Sequence, residues 1–489
     1  MNLHPNTLEG YRLLHDGALE LARLEEAGIR IDLEQLDRVK EDLGTRTRAI
    51  KSDLQQTREW AKWRRRFGAK ANIGAPRQLA DVLSKDLHVG ISRRTSKGMV
   101  STDAEALAHI DLPFVRQWSE LAKLNKALNT FVLGIERELD AHGFLHPVFN
   151  LHIARTYRSS SDSPNFQNFP VRDKEIARII RSLFVARPGC VLVENDFKGI
   201  EVSVSACYHK DQNFIDYITT PGKDMHRDMA AQLYIMEPGQ VHKDARYGAK
   251  NKFVFPEFYG DFYLSCARAL WEWAEKGKLT GPNGEPMLKH LRNQGIRELG
   301  IPDPDERPRK GTFVRHVQEV EDDFWNRRFR DYGKWRKQWF RQYLKRGYFD
   351  ILSGFRVPGV WPRNAVINYP VQGAAFHCLL WTLIQLNRAL RKYRMRSRAV
   401  GQIHDSILGD VFEPELRDYL CIVEEIVSVK LRKHFDWIVV PMVIEFEICP
   451  PGKPWFDKRE FGFRDGRFAH PSKPNKWTRD PERFLAALQ

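Results

Sequence analysis

The chain has 489 residues, with 78 Lys and Arg against 63 Asp and Glu, and so carries a formal net charge of +15. Hydrophobic residues make up 42% of the sequence and aromatic residues 11%, which excludes a disordered chain and a small disulfide-stapled module. The length predicts two or three substructures. The positive charge favours a polyanionic partner, either nucleic acid or an anionic membrane surface.

Three features bear on compartment and partner. A notably apolar stretch, 377–386, is broken by polar residues and is far shorter than the roughly 18 to 20 residues of a membrane-spanning helix, so nucleic acid is the favoured partner and no membrane is expected. The N-terminal segment has neither the basic start nor the apolar core of a secretory signal, which predicts a cytoplasmic protein. The cysteines have no CxxC or zinc-finger spacing and are predicted to be reduced structural thiols. They are Cys190, Cys207, Cys266, Cys378, Cys421 and Cys449.

The first part of the chain is predicted to be helical. From Ala18 to about Leu124, apolar residues recur at spacings of three and four, which is typical of amphipathic helices. Within this region the segment 46–70 is strongly basic, and both a solvated helix face and contact with a phosphate backbone are open for it. Its residues include Arg64, Arg65 and Arg66, with Trp60 and Trp63 interleaved.

Strand-like runs appear from about Phe144. The runs at 190–196, 397–410 and 444–450 are predicted to form one antiparallel sheet. Between them, 204–352 returns to helix, with an aromatic stripe that is predicted to be core. The stripe consists of Trp325, Phe329, Tyr332, Trp339 and Tyr343.

Two further segments are predicted less specifically. The segment 277–311 is rich in Pro, Gly and charge, which predicts connections or an inserted lobe. The tail after Trp455 is basic and contains proline, and it ends in a predicted short helix at 481–489. Three arrangements are open for this tail: it packs on the rest of the protein, wraps around it, or extends freely into solvent.

Two aspartates lie where predicted strands end. Asp196 ends the apolar alternation of CVLVEND, and Asp405 lies at the turn of a predicted hairpin formed by VGQI and SIL. Two-metal phosphoryl transfer needs anionic oxygen ligands shared between ions about 3.5 to 4 Å apart, which this pair would supply. For the pair alone a structural role is the first interpretation, because buried and turn aspartates are common.

Six motifs in a fixed order favour metal binding over a structural role for these aspartates. They are RSSSDSPNFQNFP (158–170), NDFKGIE (195–201), KDMHRDMA (223–230), RYGAKNKFVFPEFYG (246–260), NYPVQGAAF (368–376) and GQIHDS (401–406). In this order they resemble the motifs of the family A DNA polymerases, the Klenow-like group, over roughly 18–456. The resemblance implies an α+β right-hand architecture with an antiparallel-sheet palm, helical fingers and a helical thumb. It also implies a DNA-templated DNA polymerase that extends a primer 3′ end with dNTPs.

The resemblance divides the chain into regions. They are an N-terminal extension (1–17), a thumb with a basic tip (18–124), a first palm part (125–203), fingers (204–352) with an inserted segment (277–311), a second palm part (353–456) and a C-terminal tail (457–489). About seventeen residues before the thumb are too few for an exonuclease domain, so a separate exonuclease is an expected partner, as is a processivity factor. An exonuclease-free polymerase with an altered fingers motif favours a bacteriophage source and hence the bacterial host cytoplasm.

The resemblance also implies the metal and phosphate contacts. Asp196, Asp405 and the backbone carbonyl of Phe197 would bind two Mg²⁺ ions, with Mn²⁺ as a substitute. Arg246, Lys250 and His226 would meet the triphosphate of the incoming dNTP, and Lys250 would be catalytic.

Further implied contacts concern the nucleotide pocket and the DNA. Phe255 and Tyr259 would stack on the base and sugar, and Glu201 would lie beneath the sugar and disfavour a ribose 2′-OH. The residues expected to contact primer-template DNA are Arg158, Asn168, Asn368, Gln372, His404, Arg64, Arg65 and Arg66.

The sequence departs from the family pattern at several positions. Ser406 replaces the Glu after the second aspartate, Lys198 and Gly199 replace Ser-Gln, and Ser203 replaces Arg. Activity is still expected, with altered local electrostatics, because two aspartates suffice to bridge the metals.

The fingers motif has one residue more than the family pattern. The steps Arg246–Lys250 and Phe255–Tyr259 are separated by five residues instead of four, which on a regular helix would rotate the aromatic pair by about 100°. A π-type bulge, or a break helped by Pro256, is predicted to restore a common face.

Two other functions fit part of the pattern. A single-subunit RNA polymerase has a related architecture, but Glu201 and the sequence QIHD favour DNA synthesis. A non-catalytic DNA-binding protein on a polymerase fold is conceivable because of Ser406, although the joint presence of Asp196, Asp405, Arg246 and Lys250 argues against it.

Overall fold

The computed structural model describes residues 3–91, 93–95, 98–171, 173–276, 279–303 and 305–488. Parts of the predicted N-terminal extension (1, 2), inserted segment (277, 278, 304) and tail (489) therefore lie outside the described residues. Among the residues described, there is no helix whose length and apolar character suit a membrane span. All six cysteines are free thiols.

Helices form most of the regions predicted as thumb (18–124) and fingers (204–352). Their bounds are α1 (Thr7–Ala27), α2 (Leu33–Gln55), α3 (Arg58–Phe67), α4 (Pro76–Lys85), α5 (Ala104–Leu107), α6 (Pro113–Lys126), α7 (Leu133–Glu138), α8 (Lys174–Arg181), α9 (Ile200–His209), α10 (Gln212–Thr219), α11 (Met225–Leu233), α12 (Lys243–Ala249), α13 (Phe255–Phe258), α14 (Tyr263–Lys276), α15 (Met287–Asn293), α16 (Phe313–Asp323), α17 (Arg330–Arg346), α18 (Arg363–Lys392), α19 (Leu416–Glu425), α20 (Leu431–His434) and α21 (Pro481–Ala486). π-helical turns lie at Ala127–Val132, Lys250–Val254, Phe324–Arg328 and Ile426–Lys430.

Fourteen strands are present in the described chain. They are β1 (Ile29–Arg30), β2 (Phe144–Leu145), β3 (Val148–Asn150), β4 (Ser160–Asp162), β5 (Cys190–Phe197), β6 (Tyr348–Ile351), β7 (Phe355–Pro358), β8 (Arg398–Ile403), β9 (Ser406–Phe412), β10 (Ile444–Ile448), β11 (Arg459–Phe461), β12 (Phe463–Arg464), β13 (Arg467–His470) and β14 (Lys473–Thr478). The central sheet has the order β11-β10-β5-β9-β8 with antiparallel pairing throughout. This confirms the prediction that the three strand-like runs form one sheet.

Polar residues that precede two helices of the thumb region cap the N-terminal ends of those helices. Asp32 precedes α2 and accepts a hydrogen bond from the Gln35 backbone N–H (3.0 Å), and Thr57 caps α3 in the same way through Trp60 (3.2 Å). Such caps satisfy backbone donors that the helix leaves free. The Thr57 cap lies between the long helix α2 and α3, next to a small second core around Trp60 and Trp63.

We expect this small core to depend on Trp63. The side chain is fully buried, and its Nε1 donates to Gln78 Oε1 at 2.8 Å. Trp63→Ala is expected to lower the free energy of unfolding by about 3–5 kcal/mol, because it leaves a cavity and removes the hydrogen bond to Gln78. Trp477, which is 45% exposed, is the matched control, and Trp477→Ala should cost about 0.5 kcal/mol. Urea unfolding measures both, and equal losses would contradict the assignment.

The aromatic stripe of the fingers is core, as predicted. Trp325, Phe329, Tyr332 and Tyr343 are buried, whereas Trp339 is half-buried against the same core. The four buried rings are thereby unavailable for base stacking.

The C-terminal tail supplies the edge strand β11 of the central sheet and packs a helix against it. Phe484 of α21 stacks on Phe468 of β13 (ring centroids 4.6 Å apart) and contacts Phe461 of β11 (4.9 Å). Arg459 Nη1 also donates to the Leu488 backbone carbonyl at 2.8 Å. The predicted terminal helix is confirmed, but strands β11 to β14 were not predicted. The first three have four residues or fewer, and β14 is polar, contains a proline and lacks the usual strand alternation.

Candidate active site

The central sheet brings Asp196 and Asp405 side by side. Asp196 is the second-last residue of β5 and pairs with Ser406, the first residue of β9. The Phe197 backbone N–H donates to the Asp405 carbonyl at 3.1 Å. His404, with φ of 47°, and Asp405 form the two-residue turn between β8 and β9. The predicted hairpin with the His-Asp pair at its turn is confirmed.

The two carboxylates concentrate negative charge in a half-buried place. Burial raises the pKa of Asp196 to about 7, and the charges of Glu194 and Asp405 add to this shift. Burial also raises the pKa of Asp405, although Arg158 opposes the shift. Oxygen ligands with excess negative charge fit a hard divalent cation. No group of three or more His, Cys, Asp or Glu arranged for a metal occurs among the described residues, so the side chains that could ligate a metal here are the two aspartates.

Arg158 and Tyr259 connect these aspartates to the fingers. Arg158 donates from Nη2 to Asp405 Oδ1 (3.2 Å) and from Nη1 to Glu201 Oε1 (3.3 Å). The Tyr259 hydroxyl donates to Glu201 Oε2 at 2.7 Å. Burial raises the pKa of Glu201, while Tyr259 and Arg158 oppose the shift. A continuous polar chain therefore runs from the palm sheet to the fingers helix.

The departures near Asp196 have local explanations. Gly199 has φ of 57° in the left-handed region, where a residue without Cβ is favoured, and it begins α9. Lys198 Nζ pairs at 2.5 Å with Glu445, the register partner of Asp196. Lys198 therefore neutralises the negative charge of Glu445, an additional carboxylate at this end of the sheet.

The fingers helix contains the predicted π turn. α12 ends at Ala249, the π turn occupies Lys250–Val254, and α13 follows. Lys250 Nζ lies 5.2 Å from the centroid of the Phe255 ring, and the Phe255 and Tyr259 rings stack with centroids 6.0 Å apart. Val254 is fully buried on the core side. The extra residue is absorbed by the wider turn, so the basic and aromatic steps share one face.

His226 and Arg246 complete this face. Asp224 caps α11 by accepting from the His226 backbone N–H (3.1 Å), and it also accepts from Arg246 Nε (2.7 Å). The His226 ring meets the Phe255 ring edge-on at 5.6 Å. Burial, Lys250 and Arg246 lower the pKa of His226 to about 4, so its imidazole is neutral. Its buried Nδ1 has no hydrogen-bond partner within the described part of the chain.

A glutamine network behind the Asp405 turn was not predicted. Gln402 is buried and accepts from the Ser159 hydroxyl (2.6 Å) and from Gln167 Nε2 (2.6 Å). Its own Nε2 donates to the His404 carbonyl at 2.8 Å. These residues lie inside the quoted motifs, and that position was the only sequence signal for them. Asp224, inside the His226 motif, was missed in the same way.

The predicted primer residues of α18 lie beside an internal proline. Pro370 cannot donate a helical hydrogen bond to the Val366 carbonyl, and Trp339 Nε1 donates to that carbonyl instead (2.9 Å). Tyr208 donates to the Pro370 carbonyl at 3.0 Å. Asn368 and Gln372, on either side of this proline, are half-buried.

The remaining predicted DNA contacts lie at other places. Asn168 and His404 are exposed. Arg64, Arg65 and Arg66 are exposed at the end of α3, on the small thumb core rather than on the core around the central sheet. Arg66 Nη2 lies 2.8 Å from Asp86 Oδ1, so part of this charge is already paired.

Comparison with known sequences agrees with the motif order. The chain is 28% identical over 447 residues to DNA polymerase I of Lactococcus lactis subsp. cremoris (90% of this chain, 45% of the relative) and 26% identical over 468 residues to the DNA polymerase of Bacillus phage SP01 (88% and 46%). The sequence profile of DNA polymerase family A matches residues 36–274. This match covers just under half of the chain and shows a similarity to DNA polymerase family A. The chain spans less than half the length of these relatives.

A solved structure shares the fold of this chain. It is the POL domain of Pol1 from M. smegmatis in complex with DNA primer-template and dNTP. The TM-score is 0.69 with 23% sequence identity, over 90% of this chain and 70% of that chain. The predicted α+β polymerase architecture is thereby confirmed.

Proposed function

We propose that this chain is a DNA-templated DNA polymerase that extends a primer 3′ end with dNTPs by two-metal-ion nucleotidyl transfer. The observation that carries the proposal is the pairing of Asp196 and Asp405 at one sheet end, linked by Arg158, Glu201 and Tyr259 to a basic and aromatic face of the fingers. The match to the DNA polymerase family A profile supports the same reaction.

Asp196 and Asp405, with the Phe197 carbonyl, would hold two Mg²⁺ ions, and Mn²⁺ would substitute. When bound, the ions would activate the primer 3′-hydroxyl and stabilise the charge of the leaving pyrophosphate. The raised pKa values of both aspartates support this role, because a nearby dication would favour their charged forms.

Arg246, Lys250 and His226 would bind the triphosphate. Two cations neutralise phosphate charge, and a neutral imidazole with an unpaired nitrogen offers one hydrogen bond without adding charge. The π turn supports this assignment because it places Lys250 against Phe255. Phe255 and Tyr259 would then contact the base and sugar.

Primer-template DNA would run from the palm to the thumb. Arg158, Asn368, Gln372 and His404 are proposed to contact the primer end and the minor groove, and Asn168 the neighbouring template. Exposed cations on the thumb tip suit sequence-independent contact with phosphates. Of these, Arg64 and Arg65 are the stronger candidates, because Arg66 is paired with Asp86.

Glu201 is proposed to select deoxynucleotides. Glu201→Ala is expected to lower the preference for dNTP over NTP by roughly tenfold to 100-fold, because it removes the side chain that would exclude the 2′-OH. Tyr259→Phe is the matched control, since it deletes only the hydroxyl that donates to Glu201 and should have a smaller effect. The ratio of kcat/KM for dNTP and NTP measures both, and an unchanged ratio in Glu201→Ala would count against the role.

Extension of a primed template with Mg²⁺ and all four dNTPs tests the proposal. The expected result is full extension with dNTPs and little with NTPs. Extension with NTPs alone would instead indicate an RNA polymerase. If neither dNTPs nor NTPs are incorporated, the result would favour a non-catalytic DNA-binding protein. A second primer with a mismatched 3′ end tests proofreading, and we expect the mismatch to remain, so that an exonuclease would act as a separate chain.

A further inference from the structure

A buried charged group lies next to Asp196 on the same face of the central sheet. Alternate residues of a strand point to one face, so Glu194 lies beside Asp196 on β5. Glu194 is 8% exposed. Its Oε1 accepts from the Ser406 hydroxyl at 3.0 Å, and its Oε2 accepts from Trp455 Nε1 at 2.9 Å and from Lys458 Nζ at 2.6 Å. Three donors therefore fix this carboxylate.

Ser406 is the residue that departs from the family pattern. It stands directly opposite Asp196 in the β5–β9 register, and its side chain is 2% exposed. A glutamate at this position would direct a second carboxylate at Glu194, and two like charges in contact oppose each other. An acid at 406 and an acid at 194 are therefore alternatives, and this chain uses the second.

The contact also fixes the turn that carries Asp405. Ser406 follows Asp405 directly, so its bond to Glu194 ties the end of the hairpin to β5. Glu194 is in turn held from the far side, because Lys458 also contacts Glu447 of β10 and Arg181 lies 4.0 Å from the Trp455 ring. Side chains from three parts of the palm thus set where the two aspartates stand.

We propose that Glu194 is the third acidic residue of the site, a positioning residue that β5 supplies in place of the acid that the family pattern has after Asp405. Through Ser406 it fixes the separation of Asp196 and Asp405, and it adds a carboxylate beside Asp196. The inference rests on the proposed function, since it concerns the metal site of that reaction.

Binding of Mn²⁺ alone, followed by electron paramagnetic resonance, tests this role independently of catalysis. Glu194→Gln is expected to weaken Mn²⁺ binding about tenfold, as changes behind metal ligands commonly do. The Mg²⁺ concentration for half-maximal primer extension should rise in parallel, with the KM for dNTP nearly unchanged. Glu447→Gln, which also loses a contact with Lys458 but none with Ser406, is the matched control and should bind Mn²⁺ nearly as the wild type does.

An exchange of the acid between strands gives the sharper test. Glu194→Ser and Ser406→Glu should each weaken Mn²⁺ binding, and the double variant should restore it, because it again has one carboxylate facing one hydroxyl. If Glu194→Gln does not fold, the double variant decides alone. Unchanged Mn²⁺ affinity in folded Glu194→Gln, or a folded double variant no better than either single variant, overturns the inference. If the wild-type protein binds Mn²⁺ but extends no primer, that result would contradict the proposed function and not the role of Glu194.

Discussion

Asp405→Asn is expected to reduce single-turnover primer extension by at least about 10³-fold, which corresponds to about 4 kcal/mol of transition-state stabilisation. The amide keeps the shape of the side chain but loses the negative charge that a shared metal ligand needs. Because Phe197 binds the backbone carbonyl of residue 405 rather than its side chain, the turn geometry should survive. Rapid-quench measurement of one nucleotide addition gives the rate.

The same variant separates chemistry from folding. Burial raises the pKa of Asp405, so the ionised side chain is disfavoured in the folded protein, and the neutral amide should unfold at the same or a higher temperature. Asp418→Asn is the matched control, because Asp418 is exposed on α19, and it should keep full activity. Substantial extension by folded Asp405→Asn would contradict the two-metal proposal.

Lys250→Ala has the second largest expected effect. The maximal rate of nucleotide addition should fall by about 10²–10³-fold, because a fixed cation would no longer face the charge that develops on the leaving pyrophosphate. A second readout follows from the neighbouring imidazole. The pKa of His226 is lowered to about 4 by burial first and then by Lys250 and Arg246, so loss of this cation should raise it partway toward its ordinary value. NMR titration of the free protein measures the shift.

Lys252→Ala provides the control for that experiment. Lys252 lies in the same π turn and carries the same charge, but two residues along a helical turn point to different sides. Its removal should leave both the rate and the His226 pKa close to wild type. Equal effects of the two substitutions would indicate a general loss of positive charge and would contradict a specific role for Lys250.

Local sequence patterns were sufficient for the elements that carry the site. Alternation in CVLVEND and the arms around His404 predicted β5 and the hairpin, because strand periodicity depends on nearest neighbours in sequence. The π turn followed from counting residues between Lys250 and Phe255, since one extra residue must rotate a regular helix or widen it. Strand β14 could not be found this way, because its residues are mostly exposed and carry no apolar alternation.

Contacts between segments that are distant in sequence could not be predicted from local patterns. Nothing near Gln402 indicates that Ser159 and Gln167 will meet it, because the contact depends on how the 158–170 segment folds back on the sheet. The role of Glu194 could not be predicted either. In the sequence it is one polar residue of an apolar strand, and only the folded structure shows that Trp455 and Lys458 donate hydrogen bonds to it. The positions of the two aspartates at strand ends, together with the motif resemblance, predicted the pair, but tertiary packing supplies the residues that support them.

The packing of the tail on β11 has a consequence for handling the protein. β10 and β11 form one border of the palm sheet, and α21 covers it through Phe484. A chain shortened after Lys458 would bare the unpaired backbone of β10, and open strand borders of this kind recruit other chains. Such a shortened chain would keep both aspartates, every fingers residue and the contacts of Trp455 and Lys458 with Glu194, and we expect it to be lost to self-association rather than to a defect in chemistry.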